Sequence, residues 1–416
     1  MRPATEDATD TPAADPSPSL WRNRAFNLLW TGQCLSDAGS AMAGLALPLL
    51  VLQLTGSPTQ AGLVGTAALV VTTVCRLPAG VLVDRCDRRR LMIVCDAFRV
   101  VAYAVLACAV VTGVADLAVI LAVVAGGSAA TAVFSTAEYA AVRSLVRPDQ
   151  IVSAVARNEA RSYGTSLAGP PLGGLLFGLA RALPFFGNAL TFLLSLVAVV
   201  CIRRPLQQPR PQTAPSADAG GWEGLRFVLG NPFLRALLVI AAPLNMAFTG
   251  MIFAMTISLR RSGMSPVLVG LVTTVLGVGG FLGAFAAPSL QRRLRLPALI
   301  TTICWSTAVL MAVSVLLSPS VVTAVPLAAA VFLGPTANAA LFGYQAAITP
   351  DRLQGRVVSV ILLAATSAAA LAPALAGALL AQVPGRAAML AFPLLVAASA
   401  LAATFGRGLR SLPAQQ

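Results

Sequence analysis

The residues of this sequence that could exchange a proton near neutral pH are few. The chain of 416 residues has no His, and each of its 29 basic residues is Arg. Arg stays protonated in proteins, so proton exchange is left to Asp, Glu, Tyr and Cys. Without His, neither a Ser/His/Asp arrangement nor a Cys/His zinc pattern can form, and the seven Cys show no CxxC spacing. The chemistry that we expect is proton binding and release by a carboxylate, with no catalytic centre and no metal site.

Asp37, Glu138 and Arg76 are the charged residues placed best for this chemistry. Asp37 lies about eleven residues into an apolar run, roughly 16 Å along a helix, where a charged side chain is by default functional. Arg76 lies at a comparable depth in the next apolar run, so we hypothesise that Asp37 exchanges between Arg76 and a proton. The alternative for Asp37 is a structural ion pair. Glu138, close in sequence to Arg143, is a second candidate, and its alternative is a shallow salt bridge.

Other acids have simpler interpretations. Asp96 and Arg99 are three positions apart, share a helix face and are predicted to satisfy each other. Asp116 is predicted to cap a helix. After Glu223 the sequence has one further acid, Asp351, in a loop. Any carboxylate inside apolar surroundings therefore belongs to the first half of the chain.

The composition determines which elements position these residues. Hydrophobic residues make up 57% of the chain and charged residues 11%, with a mean hydropathy of +0.82, whereas a soluble domain is about 25% charged. We predict an all-α integral membrane protein, because a helix crosses the apolar core of a bilayer with about 20 apolar residues. Twelve candidate spans cover 26–54, 61–83, 91–113, 117–141, 160–180, 183–202, 233–258, 266–290, 297–318, 320–345, 357–381 and 387–406.

The arginines indicate how these spans are oriented. With the N terminus inside, 23 Arg fall in cytoplasmic segments, among them Arg157 and Arg161, and four fall outside. Cytoplasmic loops carry such an excess, so we expect a multi-pass protein of the plasma membrane with both termini in the cytoplasm. The net charge of +14 then reflects topology, and no nucleic-acid partner is expected.

The chain divides into two similar halves. We predict a disordered cytoplasmic tail over 1–19, a six-helix bundle over 20–202, a linker over 203–232 with a short interface helix near 222–229, a second bundle over 233–406 and a tail over 407–416. The halves repeat each other: Ser57-Pro58 returns as Ser265-Pro266, and Pro170 with Gly174 returns as Pro373 with Gly377. Two parallel six-helix repeats around a cavity are typical of a secondary transporter.

The loop after the second span carries a recognisable motif. It contains Gly80, Asp84, Arg85, Arg88 and Arg89 and resembles the signature loop G-x-x-x-D-R-x-G-R-R of the major facilitator superfamily, with Asp87 in place of the second Gly. We expect a tight helix exit at Gly80. The resemblance implies that Asp84 helps to hold one conformation by engaging the other half. The alternative is a plain cytoplasmic anchor of arginines.

A second motif lies in the fifth span. Gly169, Pro170, Gly173 and Gly174 resemble an element of antiporters in this superfamily, and they predict a bend and close helix packing. The alternative is ordinary packing of small residues. Further stretches, including 35–39, 183–192 and 223–227, resemble the drug:proton antiporter-3 group, which contains macrolide and siderophore exporters.

Together these features predict a secondary exporter of small hydrophobic or amphiphilic molecules, such as drugs, antibiotics or secondary metabolites, driven by proton antiport. We expect a monomer in the bilayer, with the proton gradient and no cofactor as its energy source. Candidates for the substrate cavity are Met246, Met251 and Phe253 of the seventh span, although Met and Phe side chains along one helix more often only pack against neighbouring helices. The alternatives are a proton-coupled importer of a nutrient and a transporter-like sensor without flux.

Overall fold

Long apolar stretches form helices because a backbone in lipid must satisfy its N–H and C=O groups within one segment. The computed structural model describes residues 20–204, 206–207, 221–292, 296–350 and 353–405. The helices of the first half are α1 (Arg24–Thr55), α2 (Pro58–Arg85), α3 (Arg88–Thr112), α4 (Leu117–Leu145), α5 (Ile151–Leu179) and α6 (Leu183–Cys201).

The second half repeats this order after a short connecting helix. That helix, α7 (Gly221–Gly230), confirms the predicted interface helix as an element. The helices that follow are α8 (Pro232–Arg261), α9 (Pro266–Gln291), α10 (Leu296–Leu317), α11 (Ala324–Ile348), α12 (Gln354–Gln382) and α13 (Gly385–Phe405). The predicted tails over 1–19 and 407–416, and the linker residues 205 and 208–220, lie outside the described residues.

Matched helix starts explain the sequence repeat. The hydroxyl of Ser57 accepts a hydrogen bond from Gln60 N, and that of Ser265 accepts one from Leu268 N. Each Ser is followed by Pro at the first helical position, where a missing N–H costs nothing. Asp116 caps α4 in the same way, as predicted.

Eleven helices within the described residues are long and apolar enough to cross a membrane. α5 and the ten-residue α7 are not among them; the first part of α5 carries Arg157, Glu159 and Arg161, and its remainder is free of charge but rich in Gly, Pro, Ser and Thr. The fifth span was predicted to begin at residue 160, but α5 begins at Ile151. Arg157 and Arg161, predicted to lie in the segment before the fifth span, therefore lie within the helix.

The two halves pack in the same pattern. In the first half, α1 packs on α5 and α6, α3 packs on α4 and α6, and α2 packs on α4. The second half has the corresponding pairs: α8 with α12 and α13, α10 with α11 and α13, and α9 with α11. The fold is thus two six-helix bundles of one design, which confirms the predicted fold class.

The halves meet along two further pairs, α2 with α12 and α5 with α9. Three hydrogen bonds between described residues join the halves: Thr59 Oγ1 to Gly377 O, Ala374 N to Thr66 Oγ1, and Thr274 Oγ1 to Leu167 O. They lie in the part of the bundle nearer residues 56–57, 262–265 and 383–384, which we call the arginine-poor end. The arginine-rich end is the opposite one, where α1 and α5 begin.

One expectation about the signature loop needs correction. α2 does not leave its helical path at Gly80 but continues to Arg85, and a Cβ added at Gly80 would meet nothing within 4 Å. Asp87, which stands where the family motif has Gly, caps α3 by accepting a hydrogen bond from Arg90 N at 2.8 Å. The tight connection therefore lies at Cys86 and Asp87, between two helix ends.

Candidate functional site

A cavity of about 1150 Å³ lies in the first half and extends from the arginine-rich end towards the middle of the bundle. Its wall combines polar and apolar surface and is formed by α1, α2, α4 and α5, with one residue of α3. The ionisable residues on this wall are Asp37, Arg76, Arg88, Glu138, Tyr139, Arg143, Glu159 and Arg161. Much of the remaining wall is formed by residues with hydroxyl groups, namely Ser40, Ser135, Thr136, Ser144, Ser162, Thr165 and Ser166.

Asp37 and Glu138, the two predicted carboxylates, meet at one guanidinium group. Arg161 Nη1 donates a hydrogen bond to Glu138 Oε1 at 2.6 Å, and Arg161 Nε lies 3.0 Å from Asp37 Oδ2. α1, α4 and α5 each contribute one of these three residues. Packing of α1 against α5 brings Asp37 to Arg161, although 124 residues separate them in the chain.

The two carboxylates are held differently. Glu138 is buried, with 7% of its side chain exposed, and accepts a directed hydrogen bond. The side chain of Asp37 is 37% exposed to the cavity, and Arg161 Nε makes no hydrogen bond, so the contact with Asp37 is an ion pair alone. A charge-assisted hydrogen bond is stronger than a bare ionic contact. Asp37 is therefore the carboxylate that is easier to separate from Arg161.

Arg76 does not pair with Asp37 in this structure. It lines the same cavity and makes no ion pair among the described residues. Arg161 is a site residue that was not predicted from the sequence, because the start of α5 was placed too late. One signal could have identified it: residues 151–156 carry no charge, so the helix could have been extended through Arg157, Glu159 and Arg161.

The arginines of the signature loop bind the ends of neighbouring helices. Arg88 Nη1 donates to Ala140 O at 3.1 Å and also to Ser144 Oγ and Leu206 O, while Arg89 donates to the carbonyls of Val199 and Val200. Arg88 and Arg89 therefore hold α3 to the last turns of α4 and α6. Asp84 and Arg85 are exposed at the end of α2.

The glycines of the second motif let three helices approach closely. A Cβ added at Gly169 would overlap Ala41 of α1, one added at Gly173 would lie 2.6 Å from Met42 O, and one added at Gly174 would overlap Pro266 O of α9. In return, a Cβ added at Gly270 of α9 would lie 2.6 Å from Pro170 O. Backbones in such contact leave no room for side chains. α5 continues as a helix through Pro170 and Pro171.

The methionine and phenylalanine candidates for the substrate cavity lie elsewhere. Met251 and Phe253 belong to the buried core formed by α1, α2, α8 and their neighbours. Met246 is half-buried on α8. None of the three is among the residues that line the cavity. In this conformation Met251 and Phe253 pack, as the alternative held.

Comparisons with known proteins agree with this architecture. The family model described as "Major Facilitator Superfamily" matches residues 29–344. The chain is 30% identical over 359 residues to the multidrug efflux pump Tap of Mycolicibacterium fortuitum, which covers 82% of this chain and 86% of that protein.

Solved structures share the fold at low identity. The inward-facing, occupied structure of a bacterial homologue of the human lysosomal transporter Spinster matches with a TM-score of 0.74 and 15% identity, covering 95% of this chain and 98% of that chain. The inward-facing structure of a bacterial homologue of the iron transporter ferroportin matches with a TM-score of 0.69 and 18% identity, covering 93% of this chain and 100% of that chain.

Proposed function

This chain belongs to the major facilitator superfamily, and we propose that it exports small amphiphilic molecules from the cell by proton antiport. The relative that supports export is the multidrug efflux pump Tap, which aligns with most of the length of both chains. The observation that carries the proposal is Asp37, an acid that faces a large cavity from within a helix and is held by one ionic contact.

The direction of opening fits alternating access. α2 and α12, and α5 and α9, are in backbone contact near the arginine-poor end, while the cavity reaches the arginine-rich end. Because cytoplasmic segments carry the excess of Arg, we place the arginine-rich end in the cytoplasm. The conformation is then the one that loads substrate from inside. Rocking of the two halves about a central site would open the other end.

The ion pair between Asp37 and Arg161 offers a way to couple proton entry to substrate export. A proton that binds Asp37 Oδ2 removes the negative charge facing Arg161 and ends their attraction. Glu138 keeps its hydrogen bond with Arg161, so the guanidinium group still has a partner. In this scheme Asp37 takes its proton when the site faces outside and releases it when the site faces the cytoplasm.

The cavity wall favours substrates with polar groups. Seven hydroxyl groups, together with Asn158 and the exposed ring of Tyr139, face the space beside Asp37. Five of these hydroxyl groups already donate to carbonyls of their own helices, but a purely apolar molecule would still displace water from the charged side chains of Arg76 and Glu159 on this wall, which costs binding free energy. We therefore favour the amphiphilic side of the predicted substrate class.

The test uses proteoliposomes with an imposed pH gradient and a panel of fluorescent amphiphiles that includes ethidium and rhodamine 6G. Wild type should move at least one of these dyes against its gradient, and a proton uncoupler should stop it. Asp37→Asn should remove the response to the pH gradient. Asp116→Asn is the matched control, because Asp116 is an exposed helix cap at the arginine-poor end and Asn caps helices equally well.

Two outcomes would overturn the proposal. Asp37→Asn could retain full pH-driven transport, which would exclude this carboxyl from coupling. Uptake of the dyes in the direction of the proton gradient would instead indicate an importer. Cells that express the protein, tested with and without the uncoupler against a panel of antibiotics, give an independent measure of export.

A further inference from the structure

A second buried ion pair lies behind the site formed by Asp37, Arg161 and Glu138. Asp96 and Arg99 of α3 are paired, with side-chain exposures of 0% and 3%. This confirms the pairing predicted from their spacing. Neither residue lines the cavity, so the proposed transport cycle gives them no role.

Hydrogen bonds connect this pair to α1. Ser195 Oγ of α6 donates to Asp96 Oδ2 at 2.7 Å, and Gln33 Nε2 of α1 donates to Ser195 Oγ at 3.0 Å. Gln33 is one helical turn before Asp37, so both side chains lie on the same face of α1. Through two hydrogen bonds, Asp96 is therefore fixed to the helix that carries Asp37.

Aromatic rings hold Arg99 close to the other carboxylate. Its guanidinium carbon lies 4.5 Å from the ring centre of Phe134 and 4.2 Å from that of Phe192. Phe134 is one helical turn before Glu138 on α4. Arg99 is thus a second fixed cation of the same site, placed on the side away from the cavity.

The buried charges of the site do not balance. Three carboxylates, those of Asp37, Asp96 and Glu138, face two guanidinium groups, those of Arg99 and Arg161. One negative charge is left over when all five groups are ionised. Burial of net charge in a protein interior is costly unless the charge is neutralised.

Among the remaining charged groups near the site, Arg157 of α5 is half-buried, with its guanidinium carbon 5.9 Å from the ring centre of Phe26 near the start of α1, and the others line the cavity. Arg76 of α2, Arg143 of α4 and Glu159 of α5 line the cavity with exposed side chains, and Arg88 of α3 lies at its edge. α6 and α8, which also pack on α1, contribute no charged side chain beside it; the charge of α8 lies at its ends. Solvent screens the exposed groups, so the five groups of the site, of which only Asp37 is more than 10% exposed, determine its charge.

From this arrangement we infer that the buried site binds one proton per transport cycle and that Asp96 and Arg99 set this number through their charges. Both are positioning residues, since they act through Asp37 and touch neither substrate nor cavity. One proton on Asp37 makes the five groups neutral. The inference rests on the proposed function and specifies its stoichiometry.

Substitutions that remove these charges distinguish an electrostatic role of Asp96 and Arg99 from a purely structural one. Asp96→Asn removes one negative charge, so the site is neutral without a proton, and Asp37 should stay ionised. Adding Arg99→Gln removes one positive charge and restores the excess negative charge. The double variant Asp96→Asn/Arg99→Gln should therefore regain the proton that the single variant loses. If the pair only supports packing, the double variant should be no better than the single one.

The measurement needs no substrate. Infrared difference spectra of purified protein in nanodiscs between pH 5 and pH 9 detect the C=O stretch of a protonated carboxyl group, and a pH-indicator dye counts the protons taken up. Wild type should show one buried carboxyl band and about one proton beyond exposed groups, and Asp116→Asn should match it. Asp96→Asn should lose band and proton, and the double variant should show both.

The outcomes separate this inference from the proposal on which it rests. If Asp37→Asn leaves the wild-type band in place, Asp37 is not the proton carrier and the proposed coupling fails. If Asp37→Asn removes the band but Asp96→Asn keeps it, coupling at Asp37 stands and the role of Asp96 is refuted. A double variant that folds, by thermal denaturation, but shows no band also refutes it. Proton-to-dye ratios in proteoliposomes should be 1 in wild type and in the double variant.

Discussion

Replacing Gly270 by Ala should open the arginine-poor end of the bundle. A methyl carbon on Gly270 would lie 2.6 Å from Pro170 O, whereas such C···O contacts are ordinarily about 3.3–3.6 Å. α5 and α9 would have to separate by about 0.7–1.0 Å to accept it, taking the difference between these distances. Overpacking of this kind costs about 1–3 kcal/mol.

The cost falls on one conformation only. The two helices touch here in the described conformation, and in the proposed transport cycle they part when this end opens. A bias of about 1–3 kcal/mol changes the ratio of two states roughly 5- to 150-fold. We therefore expect Gly270→Ala to shift the protein strongly towards the state open at the arginine-poor end and to slow transport.

Distances between spin labels measure this shift. Labels at Thr112 and Leu317, the last residues of α3 and α10, report the width of this end in a variant whose seven native Cys are replaced. Gly343→Ala is the matched control, since a Cβ there meets nothing within 4 Å. A distance distribution in Gly270→Ala equal to that of Gly343→Ala would refute the reasoning, because the helices would then absorb the methyl group at no cost.

Three further substitutions test individual contacts. Arg161→Gln leaves the buried Glu138 without its cation and should lower the melting temperature in detergent well below that of Arg76→Gln, since breaking a buried pair costs about 3–5 kcal/mol; equal melting temperatures would contradict the ion-pair geometry. Met251→Ala should destabilise by about 2–5 kcal/mol, because Met251 is fully buried, and a variant that changes dye selectivity without changing stability would return Met251 to the substrate site. Asp87→Ala should cost about 1 kcal/mol through loss of the α3 cap and Asp87→Gly only a few tenths, so denaturation should rank Gly above Ala.

Much of the fold could be predicted because its cause is local. Apolar length identifies a span from the residues of that span alone, and the Ser-Pro pairs at 57–58 and 265–266 mark helix starts by capping chemistry. The pairing of Asp96 with Arg99 is local as well, since three positions on a helix bring side chains together. Asp87 could have been identified as a cap by the same reasoning.

The site itself depends on contacts that no local pattern contains. Asp37 meets Arg161 because α1 packs on α5, and nothing in the periodicity of either helix specifies the partner of its polar residue. Arg76 has the right depth but belongs to α2, which packs mainly on α4 and α12. The start of α5 was misplaced because charge was taken as the mark of a loop, whereas here the charges lie inside the helix and face the cavity.

The contacts between the halves at the arginine-poor end include hydrogen bonds of threonine hydroxyls and close approaches of main-chain atoms. Gly62 meets Pro373 O, Gly377 meets Pro58 O, Gly174 meets Pro266 O and Gly270 meets Pro170 O. None of these groups titrates, carries charge or can be oxidised under physiological conditions. The seal itself is therefore blind to acidity and to membrane voltage. A change in pH or voltage must therefore act on ionisable groups outside these contacts and reach the seal mechanically, so sensing and sealing can be altered independently by mutation.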